Sequence, residues 1–354
     1  MALVHGGQLQ QVAKQYNIPT QDWLDLSTGI APISYPIPPI PNSAWQQLPQ
    51  HNVDLVNAAK HYYQCSELVV TNGSQAIIKA LPTLYQQQNP NSKHVYLPER
   101  GYKEHAQAWK VAGYKLHFYQ DSLPELTQLP VNCVVVIINP NNPTGQFFKL
   151  ELISQYHCAL KKLNGLLVVD EAFIDVMPTE QSYCTLANDN YVLVLRSFGK
   201  FFGLAGIRIG FLVANEHWCN TFKELLGPWQ VNNPAQIIAE QALVDTNWQK
   251  TQKAKLNELT TAQVEMFRQV FTDYILLDIK GCDLFLTLSF KQPTTAKQLY
   301  HLLCQQAVYC RLADEQDTLR FGIVTTDSIK RLEKALQLAC AQITYLKPYN
   351  LIAL

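Results

Sequence analysis

The chain has 354 residues, 47% of them hydrophobic and 16% charged, with 28 Lys+Arg set against 28 Asp+Glu. That length is enough for two domains with a real core, and the even charge balance leaves no global field to attract nucleic acid or an anionic membrane. Nine cysteines with no C-x-x-C spacing, and nine dispersed histidines with no H-x-x-x-H pair, point to reduced thiols in a cytoplasm and to no metal site.

No apolar run is long enough to span a membrane. The start, Met1-Ala2-Leu3-Val4-His5-Gly6-Gly7, turns polar too soon for a signal peptide. Residues 1–45 read as a head segment. In it, His5-Gly6-Gly7 precedes a short helix pattern at Leu9, Val12, Ala13 and Tyr16, and Asp25 to Ile30 forms an extended piece. Ile33 to Pro41 is too proline-dense for helix and is expected to run extended.

From residue 46 the pattern becomes strand–helix alternation. Leu68-Val69-Val70-Thr71 reads as a strand, and Asn72-Gly73-Ser74-Gln75 opens a helix whose N-terminus offers free N–H groups to an anion. Gly-Ser is also an ordinary helix start. Val95–Leu97 and Lys115–Tyr119 read as strands flanking a helix from about Tyr102 to Ala112, with Tyr102 and His105 on one face of it.

Three later runs are apolar throughout, as parallel strands buried on both faces require. Cys133–Ile138 runs into Asn139-Pro140-Asn141-Asn142-Pro143-Thr144-Gly145, and Leu166–Val169 into Asp170-Glu171-Ala172-Phe173. Val192–Leu195 leads into Arg196-Ser197-Phe198-Gly199-Lys200, then glycines and Arg208. In a doubly wound α/β sheet, ligands bind outside the carboxyl ends of the strands, so Asn142, Asp170 and the Ser197/Lys200 pair are expected to converge.

A buried carboxylate at Asp170 calls for a cationic partner, and a protonated pyridine nitrogen is a good candidate. A desolvated lysine near a second cation is suited to Schiff-base formation, while Ser197 and Arg208 suit a phosphate dianion. The glycine spacing fits neither G-x-G-x-x-G nor a P-loop.

After about residue 245 comes a helix-rich stretch, Asn247 to about Tyr274. Strands follow at 275–277, 284–288, 308–310 and 319–323. The closing helix has an apolar stripe at Ile329, Leu332, Leu336 and Ala339, with Asp327 as its expected N-cap. No internal repeat or flexible linker is visible.

In order and spacing, Asn-Pro-Asn-Asn-Pro-Thr-Gly, Asp-Glu-Ala-Phe and Ser-Phe-Gly-Lys-x-x-Gly-x-x-Gly-x-Arg-x-Gly resemble the fold-type I pyridoxal-phosphate enzymes, the aspartate aminotransferase superfamily. The resemblance implies a three-layer α/β/α large domain with a mainly parallel sheet, over 46–245. It also implies a smaller α+β domain over 246–354, with the head at 1–45 joining that domain and a homodimer seam.

Site roles follow from the same likeness. Lys200 would carry the Schiff base, Asp170 the ring nitrogen, Asn142 the ring hydroxyl, and Tyr102 would stack on the ring. Gly73, Ser74 and Gln75, with Ser197 and Arg208, would bind the cofactor phosphate, and Arg320 would bind the substrate carboxylate.

Where many aminotransferases have Tyr, this chain has Phe173. His5-Gly6-Gly7, Trp23 to Ile30, and Tyr102-x-x-His105 enclosing Glu104 resemble the cobalamin-pathway branch. That branch decarboxylates L-threonine O-3-phosphate to (R)-1-amino-2-propanol phosphate, and it implies His5, Gly6, Asn142 and Arg320 as substrate contacts. Histidinol-phosphate aminotransferase is the nearest alternative. Ala31 and Leu48-Pro49 depart from the usual Asn and Tyr-Pro.

Overall fold

The computed structural model describes residues 6–271 and 275–343. His5 and Tyr274, both named by the sequence reading, lie outside the described residues. Two compact units emerge, Ser34–Gln252 and a discontinuous unit of Met1–Ile33 with Lys253–Leu354.

The Ser34–Gln252 unit holds a seven-stranded sheet. In chain order its strands are β1 (Leu68–Thr71), β2 (His94–Pro98), β3 (Lys115–Tyr119), β4 (Val134–Ile138), β5 (Leu166–Asp170), β6 (Val192–Ser197) and β7 (Gly210–Val213). Across the sheet the order is β1-β7-β6-β5-β4-β2-β3. β7 alone runs against its neighbours; the other adjacent pairs are parallel.

The apolar runs that predicted β4, β5 and β6 are the three central strands. Every residue of Val134–Ile138 and Leu166–Asp170 is buried, so both faces of these strands lie against apolar side chains. The helix Leu150–Lys162 between β4 and β5 buries Ile153, Tyr156 and Leu160, an i, i+3, i+7 stripe that packs one face of a helix on a sheet. The anticipated adjacency holds: Ile138 pairs with Asp170, and Asp170 with Leu195.

Behind these strand ends lies a charged cluster. Arg196, on β6, donates from Nη1 to Glu171 Oε2 at 2.9 Å and to Ser182 Oγ at 3.0 Å, and from Nη2 to Asp175. Its guanidinium also stacks 4.5 Å from the Tyr63 ring centroid. Glu171 further accepts from Ser182 Oγ and the Tyr183 N–H, both at 2.6 Å. The segment after Asp170 is thereby wrapped around Arg196.

The second unit has a four-stranded antiparallel sheet in the order Arg311–Leu312, Thr318–Gly322, Phe285–Phe290, Leu276–Cys282. Leu24–Asp25 pairs in parallel with Val308–Tyr309. Leu288, Leu319, Phe321, Leu299, Leu332 and Leu336 share its core.

The closing helix is Thr326–Gln342, and its N-cap is Thr325, not Asp327. The run Thr325-Thr326-Asp327 offers several capping residues, and Asp327 instead sits in the first turn, where a carboxylate favours the positive helix end.

Removing one partner of a buried ion pair strands the other charge. Glu171→Ala is therefore expected to cost about 3–5 kcal/mol, read as a lowered denaturant midpoint. Lys255→Ala at the exposed Lys255–Glu258 pair should cost under about 1 kcal/mol in the same measurement.

Candidate active site

The first corner of the site is built at the N-terminus of the helix Ser74–Gln88. Its N-cap, Gly73, has φ +73° and supplies no side-chain cap, so no cap side chain takes up the N–H groups of the first turn. The Thr71 hydroxyl donates to the Gly73 carbonyl at 3.1 Å and holds the turn. Arg208, itself at φ 59°, lays its guanidinium over this turn: a Cβ at Gly73 would stand 2.8 Å from Arg208 Nη2. Arg208 Nη1 is steadied by donating to the Ala205 carbonyl at 3.2 Å. A guanidinium and helix N–H groups on one concavity suit a phosphate dianion.

A second corner starts at Tyr102. Its hydroxyl donates to Gln75 Oε1 at 3.0 Å, while Gln75 Nε2 donates to Glu104 Oε2 at 2.6 Å. Burial first, then the Glu104 and Asp170 carboxylates, push the Tyr102 phenol up to about 12, with Arg208 acting the other way. The phenol therefore stays neutral and donating through the physiological range.

One turn on, the His105 ring meets Tyr102 edge-on with centroids 6.3 Å apart, and His105 Nε2 stands 2.8 Å from Asp170 Oδ2. Asp170 Oδ1 accepts the Ala172 N–H at 3.1 Å. The sequence reading expected a cation on Asp170 and saw His105 only as a neighbour of Tyr102. The i, i+3 spacing was the signal for a shared face; the contact to β5 is tertiary and leaves no local trace.

The third corner holds Lys200, in the short helix Phe198–Phe201 that follows β6 and Ser197. Lys200 Nζ lies 5.5 Å from the centroid of the buried Phe173 ring. Phe173 follows Asp170 by three residues, so the amine and the carboxylate are linked through one short segment. Asn142 is carried by a loop clamped at two other asparagines. Asn139 exchanges hydrogen bonds with the Phe148 backbone at 2.8 and 3.0 Å, and Asn141 Nδ2 donates to the Arg100 carbonyl and Thr144 Oγ1, both at 2.7 Å. Sequence reasoning picked out Asn142 and missed these clamps. Contacts and short stretches of chain thus link Arg208 and Gly73 through Gln75, Tyr102, His105 and Asp170 to Phe173 and Lys200.

Arg320 belongs to the other unit. On Thr318–Gly322 it stands opposite Thr287 and Arg311, and its Nη2 donates to the Ser27 carbonyl at 2.6 Å. Burial, and after it the facing Arg311, pull the Arg320 guanidinium down to about 10. It is still a cation at neutral pH. Gly6 lies beside it: a Cβ there would be 3.5 Å from Arg320 Nη2. Among the described residues, no group of three or more His, Cys, Asp or Glu side chains could hold a metal ion.

The family model for aminotransferases of class I and II matches residues 45–336. A threonine-phosphate decarboxylase from Pseudomonas aeruginosa is 36% identical over 94% of this chain and 97% of its own length. The chain belongs to the class I and II aminotransferase family. A histidinol-phosphate aminotransferase from Shewanella amazonensis is 34% identical, but over 50% of this chain and 51% of its own. Among solved structures, histidinol-phosphate aminotransferase from Sinorhizobium meliloti, in complex with pyridoxal-5′-phosphate, aligns over 96% of this chain and 95% of that one with a TM-score of 0.76 at 18% identity, a likeness of fold.

The family is pyridoxal-phosphate dependent, and pyridoxal 5′-phosphate is the cofactor of this enzyme. The donor set fits it. The Gly73–Arg208 concavity has cationic and N–H donors for a phosphate, and Asp170 is a buried carboxylate braced for a ring nitrogen. Lys200 supplies a primary amine.

Gly73→Ala forces an L side chain into positive φ and against Arg208. It should weaken cofactor binding at least tenfold, about 1.4 kcal/mol, in a titration followed by absorbance, with the fold intact by circular dichroism. His105→Ala leaves the Asp170 carboxylate braced only by backbone. It should lower kcat by about 10–100-fold, about 1.4–2.7 kcal/mol in barrier, with cofactor still bound.

Proposed function

We propose that this enzyme decarboxylates L-threonine O-3-phosphate to (R)-1-amino-2-propanol phosphate in a cobalamin pathway. The observation that carries the reading is the extent of likeness. Similarity to the Pseudomonas threonine-phosphate decarboxylase runs through both units, over 94% of the chain, whereas the Shewanella histidinol-phosphate aminotransferase matches half of it. Phe173 in place of the usual tyrosine agrees with a departure from ordinary transamination.

The bound cofactor supplies an electron sink for the pair left when a bond at the amino acid Cα breaks. Around it, Lys200 would hold the cofactor through its side-chain amine and would move protons at Nζ. Asp170, oriented by His105, keeps positive charge on the ring nitrogen. Tyr102, fixed through Gln75 and Glu104, would face the ring, and Asn142 would bind the ring hydroxyl. Gly73, the N–H groups of Ser74 and Gln75, Ser197 and Arg208 bind the phosphate. Arg320 would take the substrate carboxylate, with His5 and Gly6 as further substrate-binding residues.

The working form in this reading is a cytoplasmic homodimer, using Trp45, Leu48, Val53 and Trp229 on the Ser34–Gln252 unit. These are large apolar side chains more than half exposed, of the kind a second subunit covers.

Incubation with L-threonine O-3-phosphate should release carbon dioxide with no 2-oxo acid acceptor present. Glutamate formed only when 2-oxoglutarate is added, and no carbon dioxide, would instead mark an aminotransferase of the histidinol-phosphate type. Lys200→Ala should abolish turnover and covalent labelling by borohydride; label retained in the mutant chain would remove Lys200 from its role.

A further inference from the structure

All the polar groups of Ser27 are committed, and they join three separate segments of the discontinuous unit. The side chain is fully buried. Its hydroxyl donates to Asp25 Oδ1 at 2.7 Å and accepts the Gly7 N–H at 2.8 Å, while its own N–H donates to the same Asp25 oxygen at 2.9 Å. Its carbonyl accepts Arg320 Nη2 at 2.6 Å.

The residue before Ser27 is hydrogen-bonded to two other segments. Leu26 N–H donates to the Tyr309 carbonyl, and Gly322 N–H donates to the Leu26 carbonyl, both at 2.7 Å. The head is pressed onto this hub: a Cβ at Gly6 would stand 2.2 Å from the Ser27 carbonyl oxygen. Position 6 thus excludes any side chain, and the bare backbone is brought next to the guanidinium.

We propose that Ser27, oriented by Asp25, is a positioning residue that latches the Gly6–Gly7 backbone beside Arg320, so that head and guanidinium form one corner for the anionic part of the substrate. This rests on the reading of a phosphorylated amino acid as substrate. The physical reason is entropic. A glycine pair has more backbone freedom to lose than any other two residues, and a latch that orders it beforehand leaves less to be ordered when substrate binds. The Asp25 carboxylate takes two donors from Ser27, which fixes the hydroxyl rotor so that its lone pair faces Gly7.

Ser27→Ala separates the two halves of the hub, because the carbonyl bond to Arg320 survives while the bonds to Gly7 and from the hydroxyl to Asp25 vanish. In the holoenzyme, amide exchange in the peptide spanning Gly7 should speed up at least tenfold. KM for threonine phosphate should rise at least tenfold, with kcat within threefold and the cofactor Kd within twofold of wild type.

Asp25→Asn, which keeps an acceptor oxygen, should leave KM near the wild-type value, and Asp25→Ala should raise it as Ser27→Ala does. Faster exchange with unchanged KM would overturn the proposal, as would unchanged exchange. A parallel loss of KM, kcat, cofactor affinity and melting temperature would also overturn it, reducing Ser27 to a structural role. If wild type turns over neither threonine phosphate nor histidinol phosphate, the functional reading falls and the latch is decided separately. Inorganic phosphate should then slow exchange at Gly7 in wild type and not in Ser27→Ala, and its failure to do so in wild type overturns the latch.

Discussion

A carboxylate at the end of a strand buried on both faces is the constraint to which most of this site answers. Asp170 is 3% exposed, and isolated in that setting its charge would cost several kcal/mol. The fold satisfies it from two directions. The Ala172 N–H comes from the turn just after it, and His105 reaches across from the helix Lys103–Val111. Because Tyr102 is the N-cap of that helix, the bond that satisfies Asp170 also sets the ring of Tyr102. Gln75 then ties Tyr102 to the phosphate corner.

Charge is handled differently one layer back. Glu171, Asp175 and Arg196 are each at most 4% exposed, and two carboxylates share one guanidinium. Such a cluster gains little over an apolar core of the same volume, so net stability does not account for it. Its geometry does suggest a use: Glu171 directly follows Asp170 and Arg196 directly precedes Ser197. The bonds between them keep the ends of adjacent strands in register, which apolar packing, lacking direction, does less sharply.

Much of this was legible in the sequence, and for a definite reason. β4, β5 and β6 are continuous apolar runs, and each ends abruptly in polar residues, so both strand and strand end could be read from composition alone. The helix start at Gly73-Ser74 and the face shared by Tyr102 and His105 are likewise local. What escaped was set by contacts distant in sequence. The pairing of His105 with Asp170, the tie of Glu104 to Gln75, and the clamps at Asn139 and Asn141 depend on which strands become neighbours. The two-residue strands Leu24–Asp25 and Arg311–Leu312 are too short to show a period. The closing helix was displaced at its start because Thr325 and Asp327 are both good capping residues.

The reversed strand β7 has a consequence for how the molecule forms. It lies between β1 and β6, and it begins just after Arg208, so that the guanidinium meets Gly73 only once a late segment of the chain has inserted beside an early one. Contacts of such large sequence separation close a long loop before they return any energy, and they are slow to form. The phosphate corner is therefore among the parts of this unit that no short fragment can assemble. A cofactor that binds there recognises only chains whose sheet is complete, and its binding energy adds to the stability of that state alone.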